Sequence, residues 1–230
     1  MADVADIPSD PLAWRPQHAR PSRRARPISD PVIEPLWRGT RVLVHLDRSR
    51  PTPDGGTWCA ILDDDGEDAS DLEPAVTSAL RVAVAASDAV IDGYLTDQAT
   101  RPGENVALVS IGRRSGNIVM GHRIDPDVAP PIDDGEPRPV AFVAVDLLRV
   151  DGQDLFDVPL LERKRLLDSL VEVGELVRLS PYTRPPVDGW MRSWRAAGFA
   201  GVMLKAANSR YRPGTETDQW TVALAGQQRG

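Results

Sequence analysis

The order of its periodic segments constrains this chain most: β-branched runs and amphipathic stretches follow one another without regular alternation. A doubly wound parallel sheet needs strand and helix to alternate, because each parallel connection takes a crossover of about a dozen residues or more. Here strand-like runs come in neighbouring pairs. Residues 41–46 alternate and are β-branched, 51–56 (Pro-Thr-Pro-Asp-Gly-Gly) read as a turn, and 57–62 form a second run, so the three predict a hairpin. Residues 105–111 and 117–121 predict another, around 113–116. Further strands are expected over 88–95, over the apolar run 140–148, and over the short segments 201–205 and 220–224. Helices are expected over 71–86, capped by Ser70 or Asp71, and over 159–173, with proline at its start. A third is expected over 188–197, stopped by Gly198. Residues 124–139 form an acidic, proline-rich loop. The fold class expected is α+β, with two antiparallel sheets flanked by helices.

Residues 1–30 read differently. They are rich in proline and arginine and lack apolar periodicity, which predicts a disordered tail ahead of a domain over 31–230. From Arg15 to Arg26 there are five arginines and no acid. Net charge is -7, so any nucleic-acid contact has to come from a local basic patch rather than the whole surface. A single cysteine, Cys59, sits in an apolar run, where a buried thiol is expected; one cysteine makes no intrachain disulfide and no Cys-based metal site. His18, His45 and His122 have no metal-ligand spacing. Residues 63–68 (Asp-Asp-Asp-Gly-Glu-Asp) lack the full calcium-loop pattern and read as an acidic turn. No metal site is expected. No apolar run reaches the length of a membrane span and the N-terminus lacks an apolar signal core, so a cytoplasmic protein is expected.

Five segments, in this order, carry a family resemblance: Glu34-Pro-Leu-Trp-Arg-Gly-Thr-Arg41; Ile91-Asp-Gly-Tyr94; Phe142-Val-Ala-Val-Asp146 with Pro159-Leu-Leu-Glu-Arg-Lys-Arg-Leu-Leu167; Gly198-Phe-Ala-Gly-Val-Met-Leu-Lys205; and Ser209-Arg-Tyr-Arg-Pro-Gly214 followed by Trp220. Over residues 32–224 the chain resembles the adenylation (nucleotidyltransferase) domain of ATP-dependent DNA ligases. The resemblance implies their ATP-grasp-like fold, expected here without the oligonucleotide-binding barrel. It also implies their chemistry. A lysine attacks ATP and becomes adenylated, AMP passes to a 5′-phosphate at a nick, and a 3′-hydroxyl displaces it. Such phosphoryl transfer rests on positioning and charge neutralisation.

Where the family has its nucleophilic lysine, this chain has Leu36, and leucine has no lone pair to attack with. Arg38 replaces the acid two residues on, and Tyr94 replaces the glutamate after Asp92-Gly93. Val145 stands where an aromatic residue stacks on adenine, and Ala200 where a glutamate is linked to metal. Val222 and Leu224 stand where two lysines follow the last tryptophan. Each lost electrostatic contact of this kind costs about 10²- to 10³-fold in rate. The resemblance therefore points to an inactive relative with ATP and Mg binding weak or absent. Arg41, Asp146 and Lys205 are the candidates for a degenerate cofactor pocket, and Arg212, Arg23 and Arg24 for nucleic-acid contact. Lys164, on a helix face, is expected to be a solvated surface charge. The expected role is a binding or interaction module near DNA repair or recombination, with weak non-specific DNA binding and a protein partner. The alternatives are an active ligase or nucleotidyltransferase working with a partner, and a purely structural subunit.

Overall fold

A computed structural model describes residues 7–50, 52–100, 108–114, 117–122 and 139–224. Within these, the strands are β1 (His18–Ala19), β2 (Pro31–Pro35), β3 (Thr40–Asp47), β4 (Trp58–Asp63), β5 (Asp88–Thr96), β6 (Leu108–Arg114), β7 (Asn117–His122), β8 (Ala141–Val150), β9 (Gln153–Asp154), β10 (Val177–Leu179), β11 (Gly201–Ala206), β12 (Glu216–Thr217) and β13 (Trp220–Leu224). The helices are α1 (Pro74–Ala83), α2 (Leu160–Leu170) and α3 (Val187–Ala196), with two short 3-10 turns.

A large sheet runs β10-β8-β5-β3-β4, with β9 beside β8, and a small sheet runs β13-β11-β2. The expected α+β class with antiparallel sheets flanked by helices is what the chain adopts, save that β10 joins β8 in parallel and β1 joins β12 in parallel. The predicted hairpin is present, His45 facing Ala60 across β3 and β4. The second predicted pair is also present, β6 against β7; its tip, and all but the last residue of the proline-rich loop expected over 124–139, lie outside the described residues.

The core is layered. Val42, Val44, Ile61, Ile91 and Leu147 on one face of the large sheet pack with Val76 and Leu80 of α1 and Leu167 of α2. The opposite face sends Leu43, Val90 and Leu148 against Tyr211 and Trp220 from the small-sheet side. Behind the small sheet, Trp194 and Ala197 pack on Ile33, Val202 and Leu204. β3 is therefore buried on both faces, and its near-continuous apolar run follows from that.

Helix α1 starts later than expected. Pro74 opens it and disfavours helical backbone at Glu73, so neither Ser70 nor Asp71 caps it. Ser70 Oγ instead accepts from the Ile61 amide. Gly198 ends α3 as predicted, in the left-handed conformation at φ 91°.

From residue 7 on, the N-terminal segment does not behave as the tail expected over residues 1–30. Trp14 is 2% exposed, packs edge-on to Phe156 with ring centroids 4.7 Å apart, and donates its indole N–H to the Pro8 carbonyl at 2.7 Å. The Gln17 amide donates to the Tyr211 hydroxyl at 2.8 Å. The segment lacks helical or strand periodicity because it is a strap, with isolated anchors rather than a repeating buried face.

Candidate functional site

Where the two sheets meet α2, the sequence buries seven charged side chains. Glu34 comes from β2, Arg41 from β3, Asp92 from β5, Asp146 from β8, Arg163 and Lys164 from α2, and Lys205 from β11. Buried charges persist only when paired and hydrogen-bonded, and these are arranged in three sets.

In the first, Arg41 grips Asp92 with Nε and Nη2, at 2.5 and 2.7 Å from the two carboxylate oxygens. Its Nη1 donates to the Tyr94 hydroxyl at 2.6 Å. The Tyr211 hydroxyl donates to Asp92 at 2.7 Å. Burial would lower the Arg41 pKa, yet the Asp92 charge holds it raised well above the ordinary guanidinium range. The Tyr211 phenol is also raised, by burial and by the Asp92 carboxylate. In the second set, Arg163 holds both oxygens of Asp146 at 2.8 Å and bonds to the Val158 and Ser209 carbonyls. Burial would raise Asp146, but the Arg163 charge outweighs it and the carboxyl titrates below its usual range.

The third set is a shared carboxylate. Lys164 Nζ lies 2.6 Å from one Glu34 oxygen and Lys205 Nζ lies 3.1 Å from the other. The Lys164 ammonium also donates to the Val145 carbonyl at 2.9 Å. Burial pushes Glu34 up, and the two ammonium groups together bring it below the ordinary carboxylate range. Lys205 is lowered by burial, with Lys164 and Arg41 adding to the fall against the pull of Glu34. Its ammonium also sits 4.5 Å from the Trp220 ring centroid.

Lys164 is thus a correction to the surface charge expected: it is 1% exposed. The buried residues of α2 are Leu160, Arg163, Lys164, Leu167 and Leu170. Two cations occupy the helical stripe that ought to be apolar, and that periodicity placed them on the inner face all along.

Leu36 follows directly on β2, and its amide donates to the Gly201 carbonyl at 3.0 Å. The chain then turns through Gly39 at φ 122°, where a Cβ would stand 2.2 Å from the Leu95 carbonyl oxygen. Gly93 is equally constrained: a Cβ there would meet Phe142 at 2.4 Å. Gly39 sets the close approach of the loop carrying Leu36 to β5, and Gly93 that of β5 to Phe142 on β8.

Of the sequence-predicted residues, Arg41, Asp146 and Lys205 come together in this cluster, each committed to an internal partner. Arg212, Arg23 and Arg24 do not join it. Arg212 pairs with Asp157 at 2.7 Å and donates to the Phe156 and Tyr211 carbonyls. Arg23 and Arg24 are exposed on the N-terminal segment. Glu34, Arg163 and Tyr211 were missed as site residues; their sequence signals were the Glu beside the nucleophile position, the cations in the α2 stripe and the Tyr of the Tyr-Arg-Pro-Gly element.

Comparisons with known proteins agree on one family. The profile described as "ATP dependent DNA ligase domain" matches residues 29–221. A DNA ligase of Thermococcus onnurineus is 26% identical over 199 residues, covering 84% of this chain and 32% of the relative. A DNA ligase of Natronomonas pharaonis is 29% identical over 195 residues, covering 82% and 31%. The chain thus spans about a third of these relatives' length. Among solved structures, a mycobacterial DNA ligase D complexed with ATP and MES superposes with TM-score 0.63 at 19% identity, covering 94% of this chain and 61% of that one, which shows the shared fold. The chain belongs to the ATP-dependent DNA ligase domain family.

Proposed function

We propose that this chain is an adenylation domain that no longer adenylates itself and acts as a binding or interaction module linked to DNA repair. The observation that carries this reading is Leu36 at the nucleophile position, where an aliphatic side chain replaces the attacking amine. The residues around it do not fit a covalent adenylate. Lys164 and Lys205 both close on Glu34, and Arg41 is bound on three of its nitrogens by Asp92 and Tyr94. Val145, in the adenine-stacking position, is buried and aliphatic. ATP and Mg bind weakly or not at all.

The experiment is incubation with α-labelled ATP and magnesium, followed by denaturing electrophoresis. No protein-linked label is expected, by either acid- or base-stable linkage. A stoichiometric AMP adduct on Lys164 or Lys205 overturns the reading.

A further inference from the structure

Helix α1 departs from the pattern of a helix lying on a sheet. Its inner stripe, Val76, Thr77 and Leu80, is buried. The outer stripe of such a helix is ordinarily charged. Here Ala75, Ser78 and Val82, at the i, i+3, i+7 spacing of the opposite face, are exposed, with Ala85 just past the helix end. Val82 is 81% exposed. The Ser78 hydroxyl donates to the Pro74 carbonyl at 2.8 Å, so it turns back onto the helix. Arg81, the only charged residue of α1, reaches Asp54 instead.

The apolar surface continues at both ends of the helix. Leu72, 78% exposed, comes just before it. At the other end the Glu172 amide donates to the Ala83 carbonyl at 2.8 Å, which brings Val173, 48% exposed, to the end of α1 that carries Val82. A surface that holds several large aliphatic side chains in water, rimmed by charge, marks a place where another surface packs. The rim is acidic. Asp71 and Glu73 precede α1, and Glu172 and Glu175 lie at its far end. No described residue forms an ion pair with any of these four. The arginines near them are engaged elsewhere: Arg81 with Asp54, Arg48 with the Val84 and Ala86 carbonyls, and Arg178 with the Glu175 carbonyl.

We propose that the outer face of α1 docks a basic amphipathic helix of a partner protein. Its apolar side lies along Ala75, Ser78 and Val82, and its Lys or Arg side chains meet the carboxylates at the two ends. Charge selects this occupant. DNA phosphates, an anionic lipid surface and a second copy of this chain each bring negative charge against those carboxylates. The small side chains select a helix. Alanine and serine let two helix axes approach to the near end of the usual spacing of about 8 to 10 Å. Ala75 to Val82 spans about 10 Å, two turns of a partner helix. The inference rests on the reading of this chain as an interaction module, and names the face and the chemistry of the partner.

The probe is an end-capped peptide of leucine and lysine, patterned as an amphipathic helix about five turns long. The control has the same pattern with glutamate for lysine. Each is titrated into the full chain while NMR follows the amides of α1 and of residues 171–175. Saturable shifts there are expected with the lysine peptide and none with the glutamate peptide. Val82→Asp separates packing from charge. It adds a carboxylate, so attraction by charge alone tightens binding, whereas docking on the apolar face weakens it about tenfold, the scale of one buried valine side chain. Ala75→Gln adds bulk without charge and should also weaken binding; it decides if Val82→Asp fails to fold. The labelled-ATP assay reads the chemistry at Leu36 and not this face, so a failed titration leaves the absence of adenylation standing. No saturable shift in α1, equal binding of the two peptides, or tighter binding by Val82→Asp overturns the proposal. So does a dimer of the free chain, seen by sedimentation, that Val82→Asp disrupts, because a second copy then covers the face.

Discussion

Leu36 concentrates the functional question into one side chain, and changing that side chain alone should not be enough. Leu36→Lys restores a lone pair but not its surroundings: Tyr94, Val145, Ala200, Val222 and Leu224 still offer neither the carboxylates nor the cations that the family's chemistry uses. We expect no nick sealing from this variant in a gel assay with a 5′-phosphorylated substrate; measurable sealing would show that the altered positions matter little. His45 makes a second residue-scale prediction. Its folded pKa of about 4 lies below the ordinary value of about 6.5, so the folded state disfavours the protonated ring. The stability tied to its neutral form is complete above about pH 6.5 and is lost as pH falls toward 4, roughly 3 kcal/mol in all. Denaturant titrations across this window should show the fall for the parent protein and a flatter profile for His45→Phe. Equal slopes in both would remove His45 as the cause. The acids Glu34 and Asp146, depressed in the fold, act lower: their contribution is present above about pH 4 and fades below it. At this scale the sequence is readable where only residue type is at issue, as with the aliphatic side chain of Leu36. It misled where burial decides, as at Lys164, because a lysine on a helix says nothing by itself about a carboxylate arriving from a distant strand.

Elements were legible in proportion to their periodicity. β3, β4, β5 and β8 are long and β-branched, and hydrophobic alternation or continuous apolar runs located each of them within two residues. β2 was not seen as a strand. It is a five-residue segment with proline at both ends, and proline is tolerated there because β2 lies at the edge of the small sheet. β10 is only three residues long and gains its place by pairing with β8, which no local pattern announces. The N-terminal strap was the largest misreading, and its anchor gives a clear test. Trp14 fills the space between Phe156 and the inter-sheet core formed with Leu43, Val90 and Tyr211. Trp14→Ala should cost about 3 to 5 kcal/mol. Calorimetry should record that as a melting temperature lower by roughly 10 °C. A shift near zero would return residues 7–20 to the status of a loosely held tail.

For the whole molecule, the balance of charge decides what kind of DNA contact is open to it. The chain carries -7 overall, so attraction to a polyanion has to be local. The seven-residue buried cluster holds four cations against three carboxylates, and all four cations are turned inward. The N-terminal arginines are less available than their sequence run suggests. Arg20 and Arg26 both reach Asp218, at 2.6 and 2.5 Å, and Arg15 bonds to the Leu12 and Trp14 carbonyls. Arg23 and Arg24 are exposed on that segment, while Arg20, also exposed, is held by Asp218. Two phosphate contacts give a slope near -2 in a plot of the log association constant against log salt, at about -0.9 per contact. We therefore expect binding no tighter than the non-specific range, about 10⁻⁴ to 10⁻⁶ M at physiological salt. Replacing Arg23 and Arg24 together with alanine should remove most of the affinity and most of the salt dependence, with little change in melting temperature. Nicked and intact duplexes should bind alike, because Ala200, Val222 and Leu224, which stand where the resemblance has a glutamate and two lysines, carry no charge. Fluorescence anisotropy at matched salt makes the comparison. A preference for nicked, 5′-phosphorylated DNA that survives the double substitution would mean that the domain recognises the break itself, through a surface other than its N-terminal arginines.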